Sequence, residues 1–381
     1  MALPRSKYVK DGQEGVYHCF SRCVRRAFLC GYDVLTNRDF CHRKAWLVDR
    51  LRYLAAIFAI EVCAYAIMEN HYHNILRTRP DIVASWSDWE VATRWLTLFP
   101  RHRAIGGVTP PPEEEIRALS QCPERIAQLR QRLCSLSWFM GRLNEFIARA
   151  ANKEDRVKGR FWEARFKCQV LLDEAAIAAC MVYVDLNPIR AGLAATPEES
   201  DYTSIQERIR AWQTEQMTAG SISSQTAQDI HSGTAGMEMR MPGNAGAISN
   251  STSESISASV DFLDSESLSG CWLCPISSGF RRRGILQMTA AEYFELVDQS
   301  GRLTRLDKRG AIDADLAPIL MRVGANPDVW GETISRFGSK FGLAAGFLSS
   351  LRHFADQVGR RWLQGVAAAR IAFASRPLEL A

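Results

Sequence analysis

The chain has 381 residues, is 47% hydrophobic and 23% charged, and carries a formal net charge of +5 with a pI of about 8.6. That composition suits a globular protein with a sizeable buried core and excludes a disordered, collagen-like or acidic-tail class. The mild basic excess is compatible with a polyanionic partner without requiring one.

The start, MALPRSKYVKDGQEG, is polar and lacks the apolar stretch of a secretory signal, and Tyr53 to Ile60 (YLAAIFAI) is too short to span a bilayer. Eleven cysteines without repeating spacing point to free thiols in a reducing cytoplasm, with no membrane partner. Cys19, Cys23, Cys63, Cys168 and Cys180 sit among apolar neighbours and read as small core residues.

Gly15 to Leu29 (GVYHCFSRCVRRAFL) alternates apolar and polar residues and predicts a strand or hairpin. Asp39 is placed to cap a helix from Phe40 to about Ile60. Glu61 to Met68 and His71 to Arg77 predict two further strands about a Glu69-Asn70 turn, the second ended by Pro80. Ile82 to Leu98 reads as helix, Pro110 to Pro112 as a break, and Glu124 to Asn152 as one long amphipathic helix. Arg165 to Leu172 predicts a fourth strand, after which Asp173 caps a helix running through Tyr183 to Leu186. This order predicts an α+β fold, a ferredoxin-like antiparallel sheet with helices on one face.

From Met217 to Asp264 the chain is rich in Ser, Thr, Gly and Ala and poor in aromatics, which predicts a flexible linker at 217–264. It divides an N-terminal domain, 1–216, from a mostly helical C-terminal one, 265–381, with helices over Ala290–Gln299, Ala311–Val323 and Phe347–Ala372 and no catalytic motif.

Two constellations carry chemistry. His71 and His73 flank Tyr72 in MENHYHN; on a strand, residues two apart share a face, so the two imidazoles could bind one divalent cation. An isolated pair of this kind reads better as two surface histidines on a strand edge, but only seven histidines occur in the chain and two of them share this position, which raises the metal reading. Tyr183 and Asn187 lie four apart in YVDLNPIRAGL and share a helix face, and Pro188 places that face at a helix end. A structural tyrosine followed by an Asn C-cap fits the same spacing. A free phenol has a pKa near 10, so a nucleophilic Tyr183 needs a metal or base beside it, which the histidine pair could supply.

MENHYHNILR resembles the HUH segment of the insertion-sequence-200-like and REP-associated single-tyrosine transposases, with Met68, Asn70, His71 and His73 in the pattern. YVDLNPIRAGL resembles the tyrosine helix and Asn-Pro-x-Arg-Ala-Gly turn of that family, GRFWEARFKCQVL its Trp-containing strand, and SDYTSI its closing segment; together these span roughly residues 15–210. The resemblance implies a nuclease and strand transferase acting on single-stranded or hairpin DNA. Tyr183 would be the nucleophile, and His71, His73 and Asn187 the ligands of Mg²⁺ or Mn²⁺. It leaves room for a homodimer. Tyr72 stands where the family has an aliphatic residue; its side chain should point away from the histidines.

Basic residues at Arg22, Arg25, Arg26, Lys158, Arg160, Arg165, Lys167 and Arg190, with Trp162, are candidates for phosphate tracking and base stacking, although a solvated charge run and a core aromatic read alike in sequence. His18, His42, His102, His231 and His353 stand alone and are expected to be structural or solvent-facing. The CWLC at Cys271 to Cys274 lacks a second ligand pair for zinc, and Arg281 to Arg283 read as a solvated run. Two alternatives remain: a catalytically silent binder of DNA hairpins, and a phosphodiesterase that uses water.

Overall fold

In a computed structural model of the chain, the residues described are 3–24, 30–33, 37–100, 110–229, 272–279, 282–304 and 317–373. Four strands form an antiparallel core: β1 (Gly15–Arg22), β4 (Ile60–Ile67), β5 (His71–Thr78) and β6 (Lys167–Leu171). β2 (Tyr32–Asp33) and β3 (Arg38–Asp39) make a separate small ribbon. The main sheet has the order β4-β5-β1-β6-β7, and β7 (Ala344–Ala345), contributed by the C-terminal region, joins β6 in parallel. The sheet is therefore mixed, where an antiparallel one was expected.

The predicted helix after Asp39 begins two residues late. Asp39 lies in β3 and its carboxylate accepts from Cys41 N at 2.8 Å, so α1 spans His42–Ile57. Pro80 does end β5, and it also opens a helix at its first turn, where no N–H is needed. The expected helix from Ile82 divides into α2 (Pro80–Ser85) and α3 (Asp88–Leu98), because Ser87 caps the second through Glu90 N. α4 (Glu113–Ser120) was not foreseen. The long amphipathic stretch likewise breaks at Cys134 and Ser135 into α5 (Pro123–Leu133) and α6 (Leu136–Glu154). Asp173 caps α7 (Glu174–Asp185) as expected, accepting from Ala176 N at 3.2 Å; α8 (Asn187–Arg190) follows at once, and α9 spans Ser204–Asp229.

Helices cover both faces of the sheet, correcting the one-face expectation. On one face Tyr72 donates to Asn144 Oδ1 of α6 at 2.5 Å, and α1 packs beside α6, fixed by the buried Arg43 on Glu154 and Asp155 at 2.6 and 2.5 Å. On the other face lies α7. Nearly every residue of α7 is apolar and buried, so the helix must be covered on its outer side too. The cover comes from the C-terminal helices Ala290–Thr304 and Trp330–Ser335.

The C-terminal region is thus not a separate body. Val170 N and Leu172 N bond Leu343 O and Ala345 O, each at 2.9 Å, and close one sheet edge. At the opposite edge Cys274 N bonds Val62 O at 2.9 Å, and the buried Arg77 donates to the carbonyls of Arg283 and Gly284. Residues 217–229 of the expected linker belong to α9, and the rest of it lies outside the described residues. The expected C-terminal helices differ in extent: the first runs further, Ala290–Thr304, the second is described over Ala317–Arg322, and Leu348–Gln357 and Val366–Ala372 stand in place of one long segment. None of the ten cysteines among the described residues is in a disulfide, and the five expected in the core are buried. No described helix is long and apolar enough to cross a membrane.

Candidate active site

Strand pairing assembles the site. β5 presents His71 and His73 to one face, and in the antiparallel register Phe20 of β1 stands opposite His73 and Arg22 opposite His71. The two rings meet edge-on, with centroids 4.9 Å apart. Tyr72 points the other way into α6 and takes no part.

α7 lies across this face and brings Tyr183 down onto it. The phenol ring is 5.9 Å from His73 and 6.2 Å from His18, edge-on to both. The guanidinium of Arg190 sits 5.0 Å over the phenol ring and donates to Ser335 O. Asn187 follows at the start of α8, and its Nδ2 is buried without a hydrogen-bond partner.

Burial dominates the electrostatics. It lowers His18 and His71 to about 4 and holds His73 well below its ordinary value, the last helped by His18, His71 and the cations Arg22 and Arg190. All three rings are neutral at pH 7, as metal ligation requires. Burial raises the Tyr183 phenol above its ordinary value, opposed mainly by Arg190. At rest Tyr183 is therefore protonated, and it could act as a nucleophile only with charge delivered from outside the phenol.

The donor set could serve a cation that needs few protein ligands. Among the described residues no group of three or more His, Cys, Asp or Glu could hold a metal ion. What the site offers is two neutral imidazoles and, beside the phenol, the Asn187 amide, whose oxygen and not its Nδ2 could serve as a ligand. A cation held there would take its remaining ligands from water and substrate oxygens, the usual habit of Mg²⁺.

The other sequence candidates divide. Lys158, Arg160, Arg165 and Lys167 are exposed on the approach to β6 and along it, as is Arg22 at the end of β1. Trp162 is 9% exposed, its Nε1 donates to Asn144 O at 2.9 Å, and its ring meets Tyr72 edge-on. It is a core anchor and not a stacking platform, because its face and its donor are both used. Arg25 and Arg26 lie outside the described residues.

Sequence reasoning missed His18, which bonds His73, and the C-terminal wall of the site. Phe337 lies 5.8 Å from the Tyr183 ring. A Cβ at Gly338 would stand 2.9 Å from Tyr183 Oη, so only a glycine lets the wall come this close. The period-two pattern of β1 placed His18, Phe20 and Arg22 on one face; that this face is the one bearing His73 depends on register, which the sequence of β1 does not carry. The outer wall did leave a signal, since EAAIAACMVYV has no polar side to give to solvent.

No protein-family model matches the chain, and no curated protein is similar to it. Among solved structures, a REP-associated tyrosine transposase bound to a REP hairpin is similar over 55% of this chain and 86% of its own, at 11% identity and a TM-score of 0.33. A likeness of that strength bears no functional argument, which rests on the residues themselves.

Proposed function

We propose that the protein cuts and rejoins single-stranded DNA, such as a hairpin-flanked strand, through a covalent link between Tyr183 and a 5′ phosphate. The observation that carries the reading is the approach of the Tyr183 ring to within 5.9 Å of His73, across 110 residues of chain. That meeting, beneath Arg190, supports a shared role for the phenol and the histidine pair.

His71 and His73, with Asn187, would hold Mg²⁺ or Mn²⁺, which when bound supplies positive charge to a non-bridging oxygen of the scissile phosphate. Arg190, over the phenol, stabilises both a developing phenolate and the phosphate it attacks. Phe337 and Phe20 exclude water from around the phenol and His73, so that the tyrosine competes with hydrolysis. As the Tyr183 Oη–P bond forms, the P–O3′ bond breaks; the proton lost by the phenol balances the one gained by the leaving 3′ oxygen. Attack by another 3′ hydroxyl reverses the step, so no external energy source is needed. Lys158, Arg160, Arg165, Lys167 and Arg22 would track the phosphates of the strand.

The test is a denaturing gel of the protein with labelled single-stranded hairpin DNA and Mn²⁺. The wild type should give a protein–DNA adduct, and Tyr183→Phe none. An adduct that persists in Tyr183→Phe sinks the assignment. The enclosure of Tyr183 by Phe337 and Gly338 favours a second reading, a silent hairpin binder, which gives a mobility shift on a native gel and no adduct on the denaturing one. A phosphodiesterase using water would cut without an adduct.

A further inference from the structure

His18 is 3% exposed on β1, and its Nε2 lies 2.8 Å from His73 Nδ1. Two neutral imidazoles sharing one hydrogen bond have one proton between them, so one ring donates and the other accepts. The choice is made further along. Gln169 of β6 stands opposite His18 in the register, and its Nε2 donates to Phe341 O at 3.0 Å and Gly342 O at 2.8 Å. Carbonyls only accept, so the amide nitrogen belongs on that side. Oε1 therefore faces His18 Nδ1, 3.4 Å away and the longest link of the series. An oxygen acceptor requires a proton on His18 Nδ1. The neutral His18 ring then carries its lone pair on Nε2 and accepts from His73 Nδ1–H. His73 keeps its own lone pair on Nε2. His71 reaches the same state locally, with Nδ1 donating to Asn70 Oδ1 at 2.6 Å.

We propose that His18 and Gln169 are positioning residues that fix His73 in the tautomer with a bare Nε2, and that the C-terminal segment sets this relay through the Phe341 and Gly342 carbonyls. The use of that lone pair rests on the cation reading above; the tautomer itself does not. Metal-binding histidines as a class have the second nitrogen held by an outer partner, whose loss weakens affinity by about 10–100-fold. Here the outer partner is a third histidine, oriented in turn by Gln169, 151 positions further along the chain.

Two measurements on the full chain test it. Histidine-selective ¹⁵N NMR of the metal-free protein at pH 7.5 should show His73 protonated at Nδ1 and bare at Nε2, its signals identified by their loss in His73→Gln. Calorimetric titration with Mn²⁺ should give a Kd that rises about 10–100-fold in His18→Leu and Gln169→Met. It should return towards wild type in His18→Gln, which restores an acceptor oxygen. A bare Nδ1 on His73 in the wild type overturns the relay without needing any variant, as does an unchanged His73 tautomer in Gln169→Met. Wild-type protein that shows the expected tautomer but takes up no Mn²⁺ leaves the relay standing and removes the cation reading. Mn²⁺ uptake with the opposite tautomer does the reverse.

Discussion

Tyr183 is a phenol made less acidic by its surroundings and then placed under a guanidinium. Burial raises its pKa and Arg190 opposes the rise, so at rest the phenol is neutral. Under the function proposed above, such a phenol would stay inert until a phosphate and a cation arrive together. The closeness of Gly338 makes the position of the hydroxyl sensitive to one carbon atom. In Gly338→Ala the new Cβ would press on Tyr183 Oη, with nothing else nearby to yield. We expect adduct formation to slow about tenfold, equivalent to roughly 1.4 kcal/mol of barrier. Overpacking should cost about 1–3 kcal/mol of stability. Single-turnover kinetics and urea unfolding measure the two separately; an unchanged rate would mean that the wall does not position the phenol.

At the scale of elements, α7 is the hinge of the design. Its first residue is preceded by Asp173, whose carboxylate caps the helix and also accepts from Phe347 N, tying the helix start to the chain after β7. Its last residue, Asp185, is fully buried. It accepts from Ser204 Oγ at 2.5 Å, Ile205 N at 3.2 Å and Tyr293 Oη at 2.6 Å. One carboxyl thus joins the tyrosine helix to α9 and to the helix Ala290–Thr304. Burial outweighs these donors and raises Asp185 to about 6. A carboxyl raised in the folded state binds more protons there than in the unfolded chain. Its contribution is complete below the unfolded value of about 3.8 and is lost as pH rises through 6. The span corresponds to about 3 kcal/mol. The buried histidines act in the opposite sense over nearly the same window, because they resist protonation that the unfolded chain accepts. A difference measurement isolates the aspartate: relative to Asp185→Asn, wild-type stability should fall between pH 4 and pH 6 and then level off. Parallel unfolding curves for the two proteins across that range would rule out the raised value.

Across the whole molecule, the region after the expected linker closes both edges of the sheet and roofs α7. An edge strand left open offers unpaired N–H and C=O groups to other chains. Here β6 is paired by β7, and β4 is covered by Cys274 and by the start of α9, where Ser204 Oγ bonds Tyr65 N at 2.9 Å. A chain ending at residue 229 would expose the β6 edge and the apolar outer side of α7 together. We expect it to self-associate, seen as a shift to higher mass in light scattering at micromolar concentration. A monomeric, folded truncation would restore the picture of two independent domains.

The sequence by itself determined the local layer: the alternation that makes β1, β4 and β5, the Asp173 cap of α7, the same-face pair His71 and His73, and the spacing of Tyr183 and Asn187. These are short-range properties, set by the two- and 3.6-residue periods of strand and helix. Helix breaks at Ser87 and Ser135 escaped it because a cap residue and a loop residue differ only in the backbone they adopt. What only the tertiary structure decided is which faces meet. Register across β1, β5 and β6 selected His18 and Gln169 as neighbours of His73, and long-range packing brought residues 337–345 against Tyr183 and β6. Those choices depend on pairing partners far apart in the chain, and no local pattern encodes them.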